Sequence, residues 1–281
     1  MGTASNDQLQ DLHNGNLISR REPSISLRDG AIQRGHGIFE TMAVYGGKPF
    51  AIAEHWKRLR VGADAMELEV PDPNALARGC RELIEANSLV TEERLRMRIT
   101  VTKGASEQDH WFLQVDPVGE FMKSASAITT PFTRNEKGAL TGFKTINYGE
   151  NIVAMNLARA KGVDEAIFPN TAGMVCEGTW SNLFARIGGS WITPPLSSGC
   201  LPGVTRALVL AIAEEGENPI VESDLPTSKL SDVEAAFFTS SIRELQPIHS
   251  IDGRTLPDPF SSEWAEWQSR YTKHVRASLA E

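Results

Sequence analysis

A lysine amine becomes a nucleophile when it is taken out of water, because desolvation loosens its proton and frees the nitrogen lone pair to attack a carbonyl carbon. In the stretch GFKTINYGENIVAMNLARAKG, residues 142–162, Lys144 stands between Phe143 and Ile146, in a β-like run just ahead of an amphipathic helix. The other lysines lie in polar settings: Lys48 in a hairpin, Lys57 and Lys161 on helices, Lys123, Lys137, Lys229 and Lys273 in polar runs, and Lys103 at a strand end. Two readings are open for Lys144. It is the amine of a Schiff-base site, or it is an edge-strand lysine turned to water, which is lysine's usual state.

Three further stretches bear on that choice. SSGCLPGVTRALVL runs from a glycine-containing loop into an apolar helix. Such a start presents unpaired N–H groups and the positive end of the helix dipole, so the amides of Val204 and Thr205 and the Thr205 hydroxyl could cradle a phosphate. The stretch is neither a GK[ST] loop nor a GxGxxG fingerprint, and a plain loop fits it as well. FFTSS ends an apolar strand on Thr239, Ser240 and Ser241, a second rim of hydroxyls. In HWKRL, Arg58 faces the same way as His55 and Leu59, either as a clamp on the phosphate or on a solvated helix face. VCEGTWSNLF sets Glu177 among small and apolar residues, where a carboxylate needs a cationic or N–H partner unless it points outward from its strand. A protonated pyridine nitrogen is such a partner. A lysine, a carboxylate and a phosphate cradle together form the set that pyridoxal 5′-phosphate (PLP) requires.

The elements that must position these residues read as α+β. FETMAVY and KPFAI are strands joined by Gly46-Gly47, a two-residue hairpin signal. Helices are predicted from His55 to about Ala65 and from about Asn74 to Ala86, followed by the strands LRMRITVTK and WFLQVDP. The second half reads as a strand around 142–146, a helix over 150–161 closed by Gly162, the strands EAIF, TWSNLFARI and WITP with a Gly188-Gly189 turn, the helix after Gly203, the strand AAFFTSS and a terminal helix around 261–279. A small α+β domain over 1–118, a linker over 119–128 and a larger domain over 129–281 are expected, facing one another across a cleft.

Composition narrows the partners. A net charge of −8 argues against nucleic acid or an anionic membrane as the main partner. No apolar run reaches transmembrane length, MGTASNDQLQ has no signal-peptide core, and Asn6 stands where an acylation signal wants Ser or Thr. Cys80, Cys176 and Cys200 form no CxxC pair and the histidines no HExxH pair, which suits a cytoplasmic protein without a metal site.

In order and spacing, RGHGIFETM, HWKRL, FKTINYGENIVA, GVDEAIFPNTAGMVCEGTWSNLF, TPPLSSGCLPGVTR and TSSIRELQPI resemble the blocks of the fold-type IV PLP enzymes, the class IV aminotransferases, over roughly residues 24–255. The resemblance implies a two-domain D-amino acid aminotransferase-like fold. It makes Lys144 the lysine bonded to the cofactor and Glu177 the partner of the pyridine nitrogen. Arg58, Gly203, Val204, Thr205, Thr239 and Ser240 become the phosphate cup, Tyr148 a neighbour of the phenolic oxygen and Leu201 the residue lining the ring. It further implies a homodimer with shared active sites, in which Arg28 and His110 act across the interface. Arg28, His36, Arg98, His110 and Ser241 are the candidates for substrate. Gln108 stands where D-amino acid enzymes carry a carboxylate-binding arginine, a task open to Arg28, Arg98 or Lys103. His36 replaces a common aspartate, and packing or turn chemistry would equally account for it. The expected reaction is amino transfer between a small amino acid, D-amino acids included, or an amine and a 2-oxo acid. The alternative is 4-amino-4-deoxychorismate lyase, which eliminates pyruvate with the same lysine, glutamate and phosphate cup. A non-catalytic PLP-binding protein would be expected to lack Lys144 or Glu177, and both are present.

Overall fold

The computed structural model describes residues 9–21, 25–105, 108–119, 122–216 and 218–280. The polar N-terminal residues 1–8 and part of the expected linker, residues 120 and 121, lie outside the described residues. Internal contacts divide the chain into two compact units, one formed by the described residues of Met1–Gly119 with Phe143–Asn147, the other by those of Glu120–Gly142 and Tyr148–Glu281.

The first unit contains β1 (Gln10–His13), β2 (Asn16–Ser19), α1 (Gly30–Arg34), β3 (Gly37–Tyr45), β4 (Lys48–Pro49), α2 (Ile52–Ala65), α3 (Pro73–Ala86), β5 (Arg94–Lys103) and β6 (Asp109–Pro117). Its antiparallel sheet runs β2-β1-β6-β5-β3-β4, and β3 pairs with β5 from Gly37↔Thr102 to Tyr45↔Arg94. The period-2 alternation turns Ile38, Met42 and Val44 with Leu95, Met97, Ile99 and Val101 toward Leu59 and Ala63 of α2 and Leu76, Cys80 and Leu83 of α3, forming the core. Glu40 has the same parity and is 1% exposed. Gly46 and Gly47 have φ of 52° and 78°, the mirror-image turn that matches strand twist. The strand expected over KPFAI stops at Pro49, because proline cannot extend the ladder and Ala51, at φ 54°, redirects the chain into α2.

The strand expected around 142–146 does not form. Gly142, at φ 82°, turns the chain, and Thr145 makes an isolated bridge to Ile38. Two backbone bonds, Phe39 N–H to Lys144 O at 2.9 Å and Ile146 N–H to Gly37 O at 3.0 Å, fix this segment on the edge of β3. Residues 143–147 thus pack with the first unit, whereas the sequence reading assigns them to the second domain.

The second unit contains β7 (Ala125–Thr129), α4 (Gly149–Ala160), β8 (Glu165–Pro169), β9 (Val175–Gly178), β10 (Asn182–Ile187), β11 (Ser190–Thr193), α5 (Val204–Glu214), β12 (Ile220–Glu222), β13 (Ala235–Ser240), β14 (Glu244–Ile251), β15 (Arg254–Thr255) and α6 (Ser262–Ala280). Its mixed sheet runs β12-β11-β10-β13-β14-β7-β8-β9, with β15 paired to β14. β7, which begins inside the expected linker, is a central strand lying parallel to β8 and β14. The expected strand TWSNLFARI starts only at Asn182, because residues 179–181 turn to bond the buried Glu165.

In α3, Asp72 caps the amides of Asn74 and Ala75 at 2.9 and 3.0 Å, with Pro73 preset in the first turn. Asp72→Ala is expected to cost about 1 kcal/mol, read as a lower urea midpoint of the first unit's far-UV signal; an unchanged midpoint would show that the cap contributes nothing.

Candidate active site

In the first unit, the Lys144 Nζ lies 4.7 Å from the centre of the Phe39 ring, and the Arg98 guanidinium carbon lies 3.7 Å from the same centre. Both contacts have cation–π geometry. The Nε of Arg98 also donates to Thr100 Oγ1 at 3.1 Å, so a second element position steadies the guanidinium. Glu40 follows Phe39 on β3, and Arg58 lies on α2. Arg58 grips Glu40 with two bonds, Nε to Oε1 at 2.6 Å and Nη2 to Oε2 at 2.7 Å, and the Nδ1 of buried His55 meets Oε2 at 2.8 Å.

Burial alone would raise the Glu40 carboxyl, but the Arg58 guanidinium and His55, with their hydrogen bonds, outweigh it and hold the group well below the usual carboxylate range. Burial lowers His55, against the pull of Glu40, so the imidazole is neutral and donates Nδ1–H to the carboxylate. Arg58 is therefore not on a solvated helix face: its side chain is 11% exposed and buttressed by a carboxylate. Sequence reasoning missed Glu40, although its parity within FETMAVY placed it among the core residues.

The other first-unit candidates are engaged locally. The Nε2 of His36 meets Met66 O at 2.8 Å, which favours the packing reading for that residue. Arg28 is exposed. His110 Nδ1 meets His13 Nε2 at 3.0 Å, and His13 stacks on Phe112. Gln108 closes its loop through a carbonyl that accepts from Gly104 N–H.

The second unit gathers the remaining candidates. Glu177, near the end of β9, accepts from the Leu201 amide at 2.8 Å and lies 3.3 Å from Arg134 Nη2. The same Arg134 reaches Glu150 and Asn151 of α4 and lies over the Phe168 ring. Asn182 joins two sequence-distant parts: it pairs with Thr239 across β10 and β13, and its Nδ2 donates to Leu201 O at 2.9 Å. Gly203 caps α5, and any Cβ there would run into Asn182 Oδ1 and force that side chain to move. The first amides of α5, at Val204 and Thr205, lack intrahelical acceptors by helix geometry. Thr239 Oγ1 is buried and without a hydrogen-bond partner. Ser240 Oγ accepts from Arg243 N–H at 3.1 Å, and Ser241 follows in the turn after β13. Tyr148 is the N-cap residue of α4. Cys176 and Cys200 are buried, which raises both thiols, Cys200 to about 11, so neither offers a thiolate here. Arg134, Asn151, Glu165 and Asn182 were not foreseen from sequence.

These residues suit PLP. A buried, unpaired hydroxyl and the first amides of a helix answer a phosphate, and an anchored carboxylate answers a protonated ring nitrogen. Residues 37–251 match the family model described as Amino-transferase class IV. The chain belongs to that family. Class IV aminotransferases use PLP, and this member is a PLP-dependent transaminase. It is 29% identical over 261 residues to a Methanocaldococcus jannaschii protein provisionally named a branched-chain-amino-acid aminotransferase, covering 86% of this chain and 88% of the relative. It is 26% identical over 257 residues to a D-alanine aminotransferase of Staphylococcus aureus, covering 87% and 90%. Its fold matches a branched-chain aminotransferase of Thermoproteus uzoniensis crystallised with norvaline, with a TM-score of 0.87 at 27% identity over 95% and 94% of the two chains.

Glu40 contributes stability that is complete above the ordinary glutamate value of 4.5 and is lost as pH falls below it toward the lower native value. Glu40→Gln is expected to cost about 3 kcal/mol at pH 7, with the gap to wild type narrowing below pH 4.5. Denaturant titrations from pH 3 to 8 check this, and a gap independent of pH would remove the ionised pair as its cause.

Proposed function

We infer that this aminotransferase transfers the amino group of a small amino acid to a 2-oxo acid, with Lys144 as the reacting amine. The observation that carries this reading is the shared aromatic ring: Phe39 fixes Lys144 and Arg98 together, a nucleophile beside a cation suited to a substrate carboxylate. Lys144 is the base that would take the proton leaving the substrate Cα and hold it on Nζ. Glu177, steadied by Arg134 and the Leu201 amide, holds the proton on the ring nitrogen. Gly203, Val204, Thr205, Thr239 and Ser240 seat the phosphate, Arg58 adds its charge, and the Tyr148 phenol serves the phenolic oxygen. When bound, PLP supplies the electron sink that makes the Cα–H bond acidic. His110, Arg28 and Ser241 remain substrate candidates of second rank. A homodimer accords with the exposed apolar side chains Ile152 and Val153 of α4, and a cytoplasmic location with three free cysteines.

Three measurements test this reading. The holoenzyme is mixed with D- and L-amino acid panels and (R)-amines while the visible cofactor band is followed, and pyruvate release from aminodeoxychorismate is assayed in parallel. Loss of the band with an amino acid is expected; pyruvate release without it assigns the lyase activity instead. Lys144→Ala should abolish turnover while PLP stays bound without a covalent link, and wild-type turnover in that variant ends the mechanism. Arg98→Met should raise KM for amino acids about 10- to 100-fold and leave KM for an (R)-amine unchanged; equal effects on both would remove Arg98 from carboxylate recognition.

A further inference from the structure

Trp180 has no part in the reading above, yet its surroundings are built to hold it. Its ring stacks on Tyr148, with centroids 5.3 Å apart and planes inclined by 26°. The backbone beneath it is over-determined. Buried Glu165 accepts from the Trp180 amide at 2.8 Å, from Thr179 Oγ1 at 2.7 Å and from Ser181 Oγ at 3.3 Å, and is itself paired with Arg243. Gly178 N–H closes the turn on Ser181 O at 2.8 Å, and a Cβ at Gly178 would strike Ser181 and Glu165. The side-chain amide of Asn151, on the first turn of α4, donates to Thr179 O at 2.5 Å.

The turn and the start of α4 are thus tied twice, by Asn151 to Thr179 and by Tyr148 to Trp180. Despite this anchorage the indole is 41% exposed, so core burial does not explain a tryptophan at this position. Tyr148 is the N-cap residue of α4 and makes no side-chain cap bond, and its ring lies against the Trp180 indole. A phenol placed for a ligand needs a wall against which its ring rests, and a rigid half-exposed indole is such a wall.

We propose that Trp180 is a positioning residue that fixes the Tyr148 ring by stacking, and so the aim of its hydroxyl at the cofactor's phenolic oxygen. This rests on the role given to Tyr148 under the proposed function. The pair also sits beside the cofactor carboxylate in sequence and structure, since Glu177 lies three residues before Trp180 and shares Arg134 with Asn151.

The test uses holoenzyme and reads the pH at which the bound cofactor's visible band is half converted, alongside kcat and KM. Tyr148→Phe is expected to move that midpoint. Trp180→Leu should move it in the same direction by about half to one pH unit, and the double variant should move it no further than Tyr148→Phe alone. Trp180→Phe, which keeps a π face, should restore the wild-type midpoint. A purely structural role would lower thermal stability without moving the midpoint. If Tyr148→Phe moves the midpoint and Trp180→Leu does not, or the two shifts add, the role of Trp180 is overturned while that of Tyr148 stands. If Tyr148→Phe itself has no effect, the assignment of Tyr148 fails and the proposal with it. Should Trp180→Leu fail to fold, Trp180→Met, also without a ring, takes its place with the same expected shift.

Discussion

A carboxylate withdrawn from water must be met by donors on nearly every lone pair, and in this protein that constraint shapes the chain around two glutamates. Glu165 is fully buried, and its demand for donors breaks what would be one strand into β9 and β10, because Thr179, Trp180 and Ser181 can reach it only from a turn. That turn ends β9 at Gly178, which fixes the direction in which Glu177 leaves the strand. Glu40 imposes the same demand on the first unit: two bonds from Arg58 and one from His55 register α2 against β3. In both cases the donors that a buried acid requires fix the backbone and side chains around it.

The start of α5 depends on a different constraint, close approach. Asn182 lies against Gly203 so tightly that a Cβ there would force it to move, and its amide holds the carbonyl of Leu201. One residue therefore sets both the start of α5 and the position of the amide that binds Glu177. Because Asn182 also pairs with Thr239, the hydroxyl left unpartnered in the core belongs to the same rigid piece. Glu177, the start of α5 and Thr239 are in this way tied together through a few bonds rather than through a long path.

Much of this was legible in the sequence, for reasons that differ by residue. Gly46-Gly47, Gly188-Gly189 and Gly162 announce turns and a helix end because only glycine adopts their positive φ cheaply. Lys144, Glu177 and the loop before α5 stand out because charged or glycine residues interrupt apolar runs. The Asn14-Gly15 turn joining β1 to β2 carried the same kind of signal and was overlooked. Other features had no local signature. Arg134 sits in PFTRNEKG and Glu165 beside Asp164, where nothing in the local sequence distinguishes a partnered charge from a solvated one. β7 lay in a segment that reads as a joint, since small residues such as those of ASAIT become a central strand only when neighbours on both sides supply the ladder. The strand assigned to Lys144 failed for the converse reason: its apolar neighbours fit a strand, but only two backbone bonds are available at the edge of β3.

The residues assigned to chemistry share a placement. Lys144 lies on a bridged edge segment, Tyr148 and Gly203–Thr205 at helix starts, and Glu177 and Thr239 near strand ends. Element ends leave backbone amides unpaired and let side chains project past the sheet, so they offer donors that element interiors have already used. Rigidity must then come from elsewhere, and here it comes from side chains such as Glu40, Asn151, Glu165 and Asn182, which bond the backbone or the side chains of those ends. Positioning in this fold is accordingly more demanding than reactivity. An amine, a carboxylate and a few amides are common groups, and what the sequence has to specify is the set of buried polar residues that hold them still.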